Sequence, residues 1–213
     1  MFVKQRMTAN PFTVTSGSSV PEAQEVMASH GVRHLPVVDD GSIVGVISSN
    51  DIRAALPSQA TTLSAQEATY LVSKLRVGKV MSKPAIVISP DALLEEAALS
   101  MRDNKIEILP VVEDGALVGV ITESDLLDSF IDILGFRDPG TRLTIEAKDQ
   151  PGVLATLTGI TANHHANIQH LAVHRGLLDT SVVIVGVNTP NTEDIEADLE
   201  AAGMRVLGRL VNG

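Results

Sequence analysis

The sequence predicts an α/β (α+β) chain, with two copies of one small mixed repeat followed by a different domain of alternating strands and helices. Three observations carry this expectation. A 17-residue stretch is written twice, and short apolar strands alternate with helices that bear cap signals. Hydrophobic residues make up 44% of the 213 positions while aromatics make up only 2%. The core must therefore be aliphatic, and abundant Val and Ile favour buried strands over a helix bundle.

The repeat is read directly. Leu35-Pro-Val-Val-Asp-Asp-Gly-Ser-Ile-Val-Gly-Val-Ile-Ser-Ser-Asn-Asp51 recurs without a gap, 74 residues on, as Leu109-Pro-Val-Val-Glu-Asp-Gly-Ala-Leu-Val-Gly-Val-Ile-Thr-Glu-Ser-Asp125. The match extends backwards, pairing Met7 with Met81, Val14 with Ile88, Ala23 with Ala97 and Met27 with Met101. Internal repetition of this kind sets the architecture before any local reading does.

Each copy has the order β-α-β-β-α. A short lead-in strand (13–15; 87–89) runs into a helix. In the first copy Ser19 and Glu22 have capping-box spacing, and in the second Ser89-Pro90 reads as an N-cap followed by a first-turn proline. Val20, Ala23 and Met27 recur at helical spacing, as do Leu94, Ala97 and Met101, and Gly31 stops the first helix. Two apolar strands follow (35–38 and 43–47; 109–112 and 117–121), joined by the hairpin signals Asp39-Asp40-Gly41 and Glu113-Asp114-Gly115. A second helix then starts after Ser48 or Thr122. Between the copies lie a polar loop at 57–62 and a connector helix at 64–75, with Ser64 and Glu67 as its capping pair.

Arg137-Asp138-Pro139-Gly140 breaks the chain, and a third segment begins. It reads as strand 141–147, a turn at Asp149-Gln-Pro-Gly-Val-Leu154, a helix to Asn163, strands 167–173 and 178–187, a helix at 192–202 and strand 204–210. That βαββαβ order is the ferredoxin-like arrangement. The expected domains are residues 1–62 and 80–136 for the repeats, 63–79 for the connector and 141–213 for the last domain.

Several function classes are disfavoured. With no cysteine, disulfides, thiolate catalysis and Cys-based zinc sites are excluded, and a reducing compartment suits the chain. A formal net charge of −10 argues against binding nucleic acid or an anionic membrane surface. No apolar run approaches the roughly 20 residues of a membrane span, and Lys4 and Arg6 interrupt the N-terminal segment, so the expected location is the cytoplasm. The sequence shows no nucleophile paired with a base, no P-loop, no Gly-x-Gly-x-x-Gly and no zincin motif; a non-enzymatic protein without a cofactor is expected. His170 and His174 fall about 13 Å apart along a strand and cannot share an ion, and His164 and His165 sit near a helix end. No metal site is expected.

The pattern Leu-Pro-Val-Val-Asp, turn, apolar strand, then Gly45-Val-Ile-Ser48-Ser-Asn-Asp51 or Gly119-Val-Ile-Thr122-Glu-Ser-Asp125 resembles the CBS domain, as do the openings Met7-Thr8 and Met81-Ser82. The resemblance implies that the repeats pack as a pseudo-symmetric pair with up to two clefts. It also implies ligands of the adenosyl class, namely AMP, ADP or ATP, with S-adenosylmethionine and NAD as further members. A first-turn Asp, here Asp51 or Asp125, can accept both hydroxyls of a ribose. Ser48 or Thr122, three residues earlier, can hold a phosphate or ribose oxygen together with the open N–H groups of the helix start. The same residues can equally be plain helix caps. Thr13, Val14 and Val87 in the lead-in strands complete the candidate nucleotide site.

The two copies are unequal where a ligand would lie. Arg33-His34 in the first is matched by Glu107-Ile108 in the second, and Arg53 by Leu127. Within the resemblance Arg33 becomes a candidate phosphate contact, whereas Glu107 would repel an anion. One cleft is expected to suit a phosphorylated nucleotide and the other to be weak, vacant or occupied by an uncharged ligand.

The segment Asp149-Gln-Pro-Gly-Val-Leu154 on a βαββαβ chain resembles the ACT domain over residues 141–211. This implies a homodimer, with either an amino-acid effector site at Asp149, Gly152, Val153 and Leu154, where glycine lets the backbone approach a carboxylate, or a tight turn that only forms the dimer interface. CBS, CBS and ACT in one chain resemble the AcuB-like group, named for acetoin utilisation, and so imply a regulator whose partner is a metabolic enzyme.

Overall fold

The computed structural model describes residues 1–56, 65–176 and 179–212. The loop at 57–62, Ser64 of the connector's capping pair and residue 178 of the expected strand lie outside them. Two compact units are present, Met1–Leu127 and Asp128–Gly213.

In the first unit, β1 (Thr8–Ala9) precedes α1 (Val20–His30), the hairpin β2 (His34–Asp39) and β3 (Ser42–Ser48), and α2 (Ser49–Ala55). The connector holds α3 (Ala65–Lys74) and the single turn α4 (Val77–Val80). The second repeat supplies α5 (Leu94–Asn104), the hairpin β4 (Ile108–Glu113) and β5 (Ala116–Thr122), and α6 (Glu123–Ile133), inside which the two units meet in sequence. Both hairpins close as expected. Asp40 and Gly41 have φ of 49° and 79°, and Asp114 and Gly115 of 50° and 83°, the left-handed pair that matches the twist of tight hairpins.

Helix starts follow the caps in one copy and depart from them in the other. Ser19 Oγ accepts from the Glu22 N–H at 3.3 Å while Glu22 Oε2 accepts from the Ser19 N–H at 2.7 Å, a complete capping box. In the second copy Ser89-Pro90 does not start the helix. Leu93 stands where Ser19 stands in the first copy, its N–H donates to Glu96 Oε2 at 2.7 Å, and α5 begins at Leu94. Half the box survives, because leucine has no hydroxyl to return the bond. Ser89 instead accepts from the Asp91 N–H in a local turn. The lead-in strands are likewise reduced to single parallel bridges, Val14 with Val37 and Ile88 with Val111.

The repeats are not self-contained. Residues ahead of each lead-in are exchanged between them. Val3 and Lys4 donate backbone N–H to Ala92 and Pro90 of the second repeat, and β1 pairs with β5 in the register Thr8↔Val120. Seventy-four residues on, Val77 and Gly78 donate to Ser18 and Ser16 of the first repeat, and Ser82 bridges Val46 of β3. Glycine permits both crossings. A Cβ on Gly45 would lie 2.7 Å from Met81 Sδ and 2.8 Å from Ser82 O, and one on Gly119 would lie 2.6 Å from Met7 Sδ and 3.0 Å from Thr8 O. Val77 accordingly belongs to the first repeat's core, with Val20, Ala23, Leu35, Val37, Ile47 and Ile52. Phe2, Phe12, Tyr70 and Phe136 stay exposed and Phe130 is half-buried, so the core is aliphatic.

The second unit contains β6 (Gly140–Lys148), α7 (Val153–Asn163), β7 (Ile168–Arg175), β8 (Thr180–Val187), α8 (Glu193–Ala201) and β9 (Arg205–Asn212). Its antiparallel sheet has the order β7-β8-β6-β9, the ferredoxin-like arrangement. Strict alternation on β6 and β8 buries Leu143, Ile145, Ala147, Val183, Val185 and Val187 on one face, where they pack with Leu157, Ile195 and Leu199 of the two helices.

Candidate functional site

The exchange of segments creates two clefts in the first unit, and each is built from both repeats. One, of about 530 Å³, lies against Thr122 and Asp125 at the start of α6. Its other walls are Thr8–Phe12, which follow β5, and residues 31–36 at the turn from α1 into β2. The other, of about 360 Å³, lies against Ser48 and Asp51 at the start of α2, with Ser82–Ile86 and residues 105–108 as its remaining walls. A 74-residue shift thus carries one cleft onto the other.

At both helix starts the hydroxyl and carboxylate are locked together. Ser48 Oγ donates to Asp51 Oδ2 at 2.7 Å, the Ser48 N–H donates to the same oxygen at 2.8 Å, and Ser48 Oγ accepts from the Asp51 N–H at 3.0 Å. Thr122 and Asp125 repeat this, with Oγ1 to Oδ2 at 2.7 Å and N–H to Oδ2 at 2.8 Å. The cap therefore uses one carboxylate oxygen, Oδ2, in each. Oδ1 of Asp51 takes no hydrogen bond among the described residues, which leaves it able to accept from a ligand hydroxyl.

The candidate nucleotide residues are divided by this geometry. Ser48 and Asp51 line the smaller cleft, while Thr122, Asp125 and Arg33 line the larger. His34 lines both. Thr13, Val14 and Val87 are in neither lining, and the wall is formed instead by the residues just ahead of them. Val14 is buried against Val37, and Val87 is exposed. Arg33 and Glu107, which stand at matching positions of the two repeats, line the same cleft, and Glu107 reaches the other as well.

Phe12, Lys83 and Lys105 are among the lining residues that the sequence reading does not single out. The repeat offset contains the signal for them, since it pairs Phe12 with Ile86 and Gly31 with Lys105. What it does not show without the exchange is that the residues just ahead of each lead-in face the opposite repeat's helix start. Phe12 stacks on His30, with ring centroids 3.5 Å apart and planes 13° from parallel.

His34 sits between the clefts with its Nε2 3.4 Å from Glu107 Oε2. Burial holds its pKa below the ordinary histidine range, outweighing the pull of the Glu107 carboxylate. Near neutral pH the imidazole is therefore uncharged and leaves the charge on Glu107 standing.

In the second unit, Gly152 and Val153 line a small recess of about 160 Å³ with Lys148, Gln150, Pro151, Thr156, Gly203 and Met204 among its walls; Asp149 and Leu154 are outside the lining. Gly152 has φ of 94° and opens α7, a backbone geometry that favours glycine. His164 is bonded to Asp198 and His170 to Asp138. No group of three or more potential metal ligands occurs among the described residues, and no helix among them is long and apolar enough to cross a membrane.

A duplicated α/β unit whose paired clefts each set a hydroxyl and a carboxylate at a helix start defines a tandem module of two pseudo-symmetric repeats. The CBS domain model matches residues 3–58 and 77–132, and the ACT domain model matches 141–203. The chain belongs to the CBS-domain family, with an ACT domain following the pair.

A CBS domain-containing protein of Dictyostelium discoideum is 31% identical over 136 residues, covering 63% of this chain and 94% of that one. An acetoin utilization protein (AcuB) of Vibrio cholerae is 31% identical with a TM-score of 0.53, covering 65% and 96%. The CBS pair of protein MJ0100, in complex with 5′-methylthioadenosine and S-adenosylmethionine, is 31% identical with a TM-score of 0.52, covering 61% and 95%. CBSX2 in complex with AMP is 29% identical with a TM-score of 0.51, covering 62% and 97%. Some relatives are far longer: the chain spans 22% of the L-aspartate semialdehyde sulfurtransferase of Methanocaldococcus jannaschii.

Proposed function

We propose that this protein is a non-enzymatic regulatory sensor of adenine nucleotides, AMP, ADP or ATP, which bind in the CBS pair. The observation that carries the reading is the pair of clefts, each presenting a first-turn aspartate whose Oδ2 is held by the cap. A fixed carboxylate is preorganised to accept from a ribose diol without losing side-chain entropy on binding. The complexes of MJ0100 and CBSX2 with adenosyl ligands support the same class. Ligand acts by favouring one packing of the repeats or of the protomers of a homodimer, and the output passes to a metabolic enzyme in the cytoplasm. The ACT domain supplies dimerisation or a second site for an amino acid at Gly152 and Val153.

Calorimetric titration of the full chain with AMP, ADP, ATP and S-adenosylmethionine tests this. Binding below millimolar concentration supports the sensor. No binding by any of the four removes it, and leaves a ligand-free interaction scaffold, the reading favoured by caps that are already complete without a ligand.

A further inference from the structure

The two clefts share a backbone plan but not a charge. The Asp125 cleft is lined by Arg33 against three carboxylates, Glu107, Glu123 and Asp125. The Asp51 cleft is lined by Lys83 and Lys105 against two, Asp51 and Glu107. Lys83 also hydrogen-bonds Gly78 O at 3.4 Å, so Lys105, at the exposed turn between α5 and β4, is the less committed of the two ammonium groups. In a chain with a net charge of −10, this local balance decides where a phosphate can be accepted.

The apolar walls differ in the opposite sense. Phe12 lines the Asp125 cleft, half exposed, with His30 stacked against its ring. Its repeat counterpart in the Asp51 cleft is the aliphatic Ile86. A ring braced in this way offers a stacking surface to a purine, and stacking tolerates any charge on the rest of the ligand. The larger cleft thus presents an aromatic wall, and the smaller the more favourable balance of positive charge.

We propose that the clefts divide adenosyl ligands by their 5′ substituent: the Asp51 cleft takes a 5′-phosphorylated nucleotide through Lys105, and the Asp125 cleft takes an adenosyl compound without a 5′-phosphate through Phe12. This rests on the sensor reading above and assigns its two sites. It reverses the expectation that Arg33 marks the phosphate site, because Glu107, Glu123 and Asp125 line the same cleft as Arg33 in the folded protein.

The experiment uses the full chain, with AMP as the phosphorylated probe and 5′-methylthioadenosine as the uncharged one, titrated singly and one after the other. Both ligands should bind, and saturation with AMP should leave the affinity for 5′-methylthioadenosine within about twofold. Lys105→Glu should weaken AMP roughly tenfold or more and leave 5′-methylthioadenosine unchanged. Phe12→Ala should weaken 5′-methylthioadenosine about tenfold and leave AMP unchanged. Both residues are exposed, and circular dichroism of each variant checks its fold. If Lys105→Glu does not unfold the chain yet affects both ligands alike, or if the two ligands compete, the division is overturned while the sensor reading stands. If neither ligand binds the wild-type chain, both readings fall. Should either variant misfold, Lys105→Gln and Phe12→Leu replace it under the same criteria.

Discussion

His34 Nε2 lies 3.4 Å from Glu107 Oε2, and the two residues come from different repeats at positions that are not equivalents of each other. The 74-residue shift carries His34 onto Ile108 and Arg33 onto Glu107, so the contact breaks the symmetry that the backbone keeps. Because both residues line both clefts, a ligand in either one meets the same pair.

The pair makes stability depend on pH in a defined direction. His34 is held below its ordinary pKa, first by burial and also by Arg33, against the opposing pull of Glu107, Asp51 and Glu123. An unfolded histidine titrates near 6.5. Between the depressed folded value and about 6.5 the unfolded chain binds the extra proton, so the folded state loses stability as pH falls through this window, and above it the effect is absent. His34→Ile, which installs the residue of the second repeat, should remove this part of the slope. Urea unfolding of both proteins at pH 7.5, 6.5 and 5.5 measures it. Parallel profiles would show that His34 is not the titrating group.

The exchange of segments makes a sharper prediction at two glycines. Gly45→Ala drives a Cβ into Met81 and Ser82, and Gly119→Ala drives one into Met7 and Thr8. Each should destabilise the first unit by about 1–3 kcal/mol, the range for overpacking a close contact, visible as a lower urea midpoint. Gly41→Ala, in open space with a φ of 79°, is the control that tests backbone strain without the crossing. Equal stability of wild type and the Gly45 and Gly119 variants would mean that the segments ahead of the lead-ins do not cross as described.

Much of this was legible in the sequence, and the part that was not has a physical cause. Hairpin positions follow from Asp-Gly turns, which local φ preferences fix, and the βαββαβ order follows from alternation on β6 and β8. The Ser89 start failed because a good cap dipeptide competes with the repeat's own geometry, and packing of Leu94, Ala97 and Met101 decides where the helix begins. Gly45 and Gly119 could be read as motif glycines but not as crossing points, since that depends on contacts between residues far apart in the chain. The same is true of the clefts. Asp51 and Asp125 were found from their own local pattern, whereas Lys105 and Phe12 reach the site from the opposite repeat.

Asp51 carries two roles that one substitution can separate. Its Oδ2 accepts from the Ser48 N–H and hydroxyl, which stabilises α2. Asp51→Ala loses that cap and should cost about 1 kcal/mol, or roughly 2–4 °C in Tm. Asp51→Asn keeps one oxygen for the cap but turns an NH₂ donor towards any ribose. Its Tm should stay near wild type while nucleotide affinity falls about 10- to 100-fold. Differential scanning calorimetry and titration calorimetry on the same samples give both readouts. Wild-type affinity in Asp51→Asn would reduce Asp51 to a helix cap.

The second unit offers a test that is independent of any ligand. Thr141 is 2% exposed on β6, and its Oγ1 is buried without a hydrogen-bond partner among the described residues. A buried hydroxyl without a partner costs roughly 1–3 kcal/mol relative to water, whereas an apolar group of the same shape carries no such penalty. Valine has that shape, and a β-branched residue suits the strand. Thr141→Val should therefore stabilise the unit by about 1 kcal/mol, raising its Tm by roughly 4–8 °C while leaving nucleotide binding by the CBS pair unchanged. Scanning calorimetry reads the first effect and titration calorimetry the second. A lower Tm would mean that the hydroxyl is satisfied in solution, with an ordered water as the simplest partner.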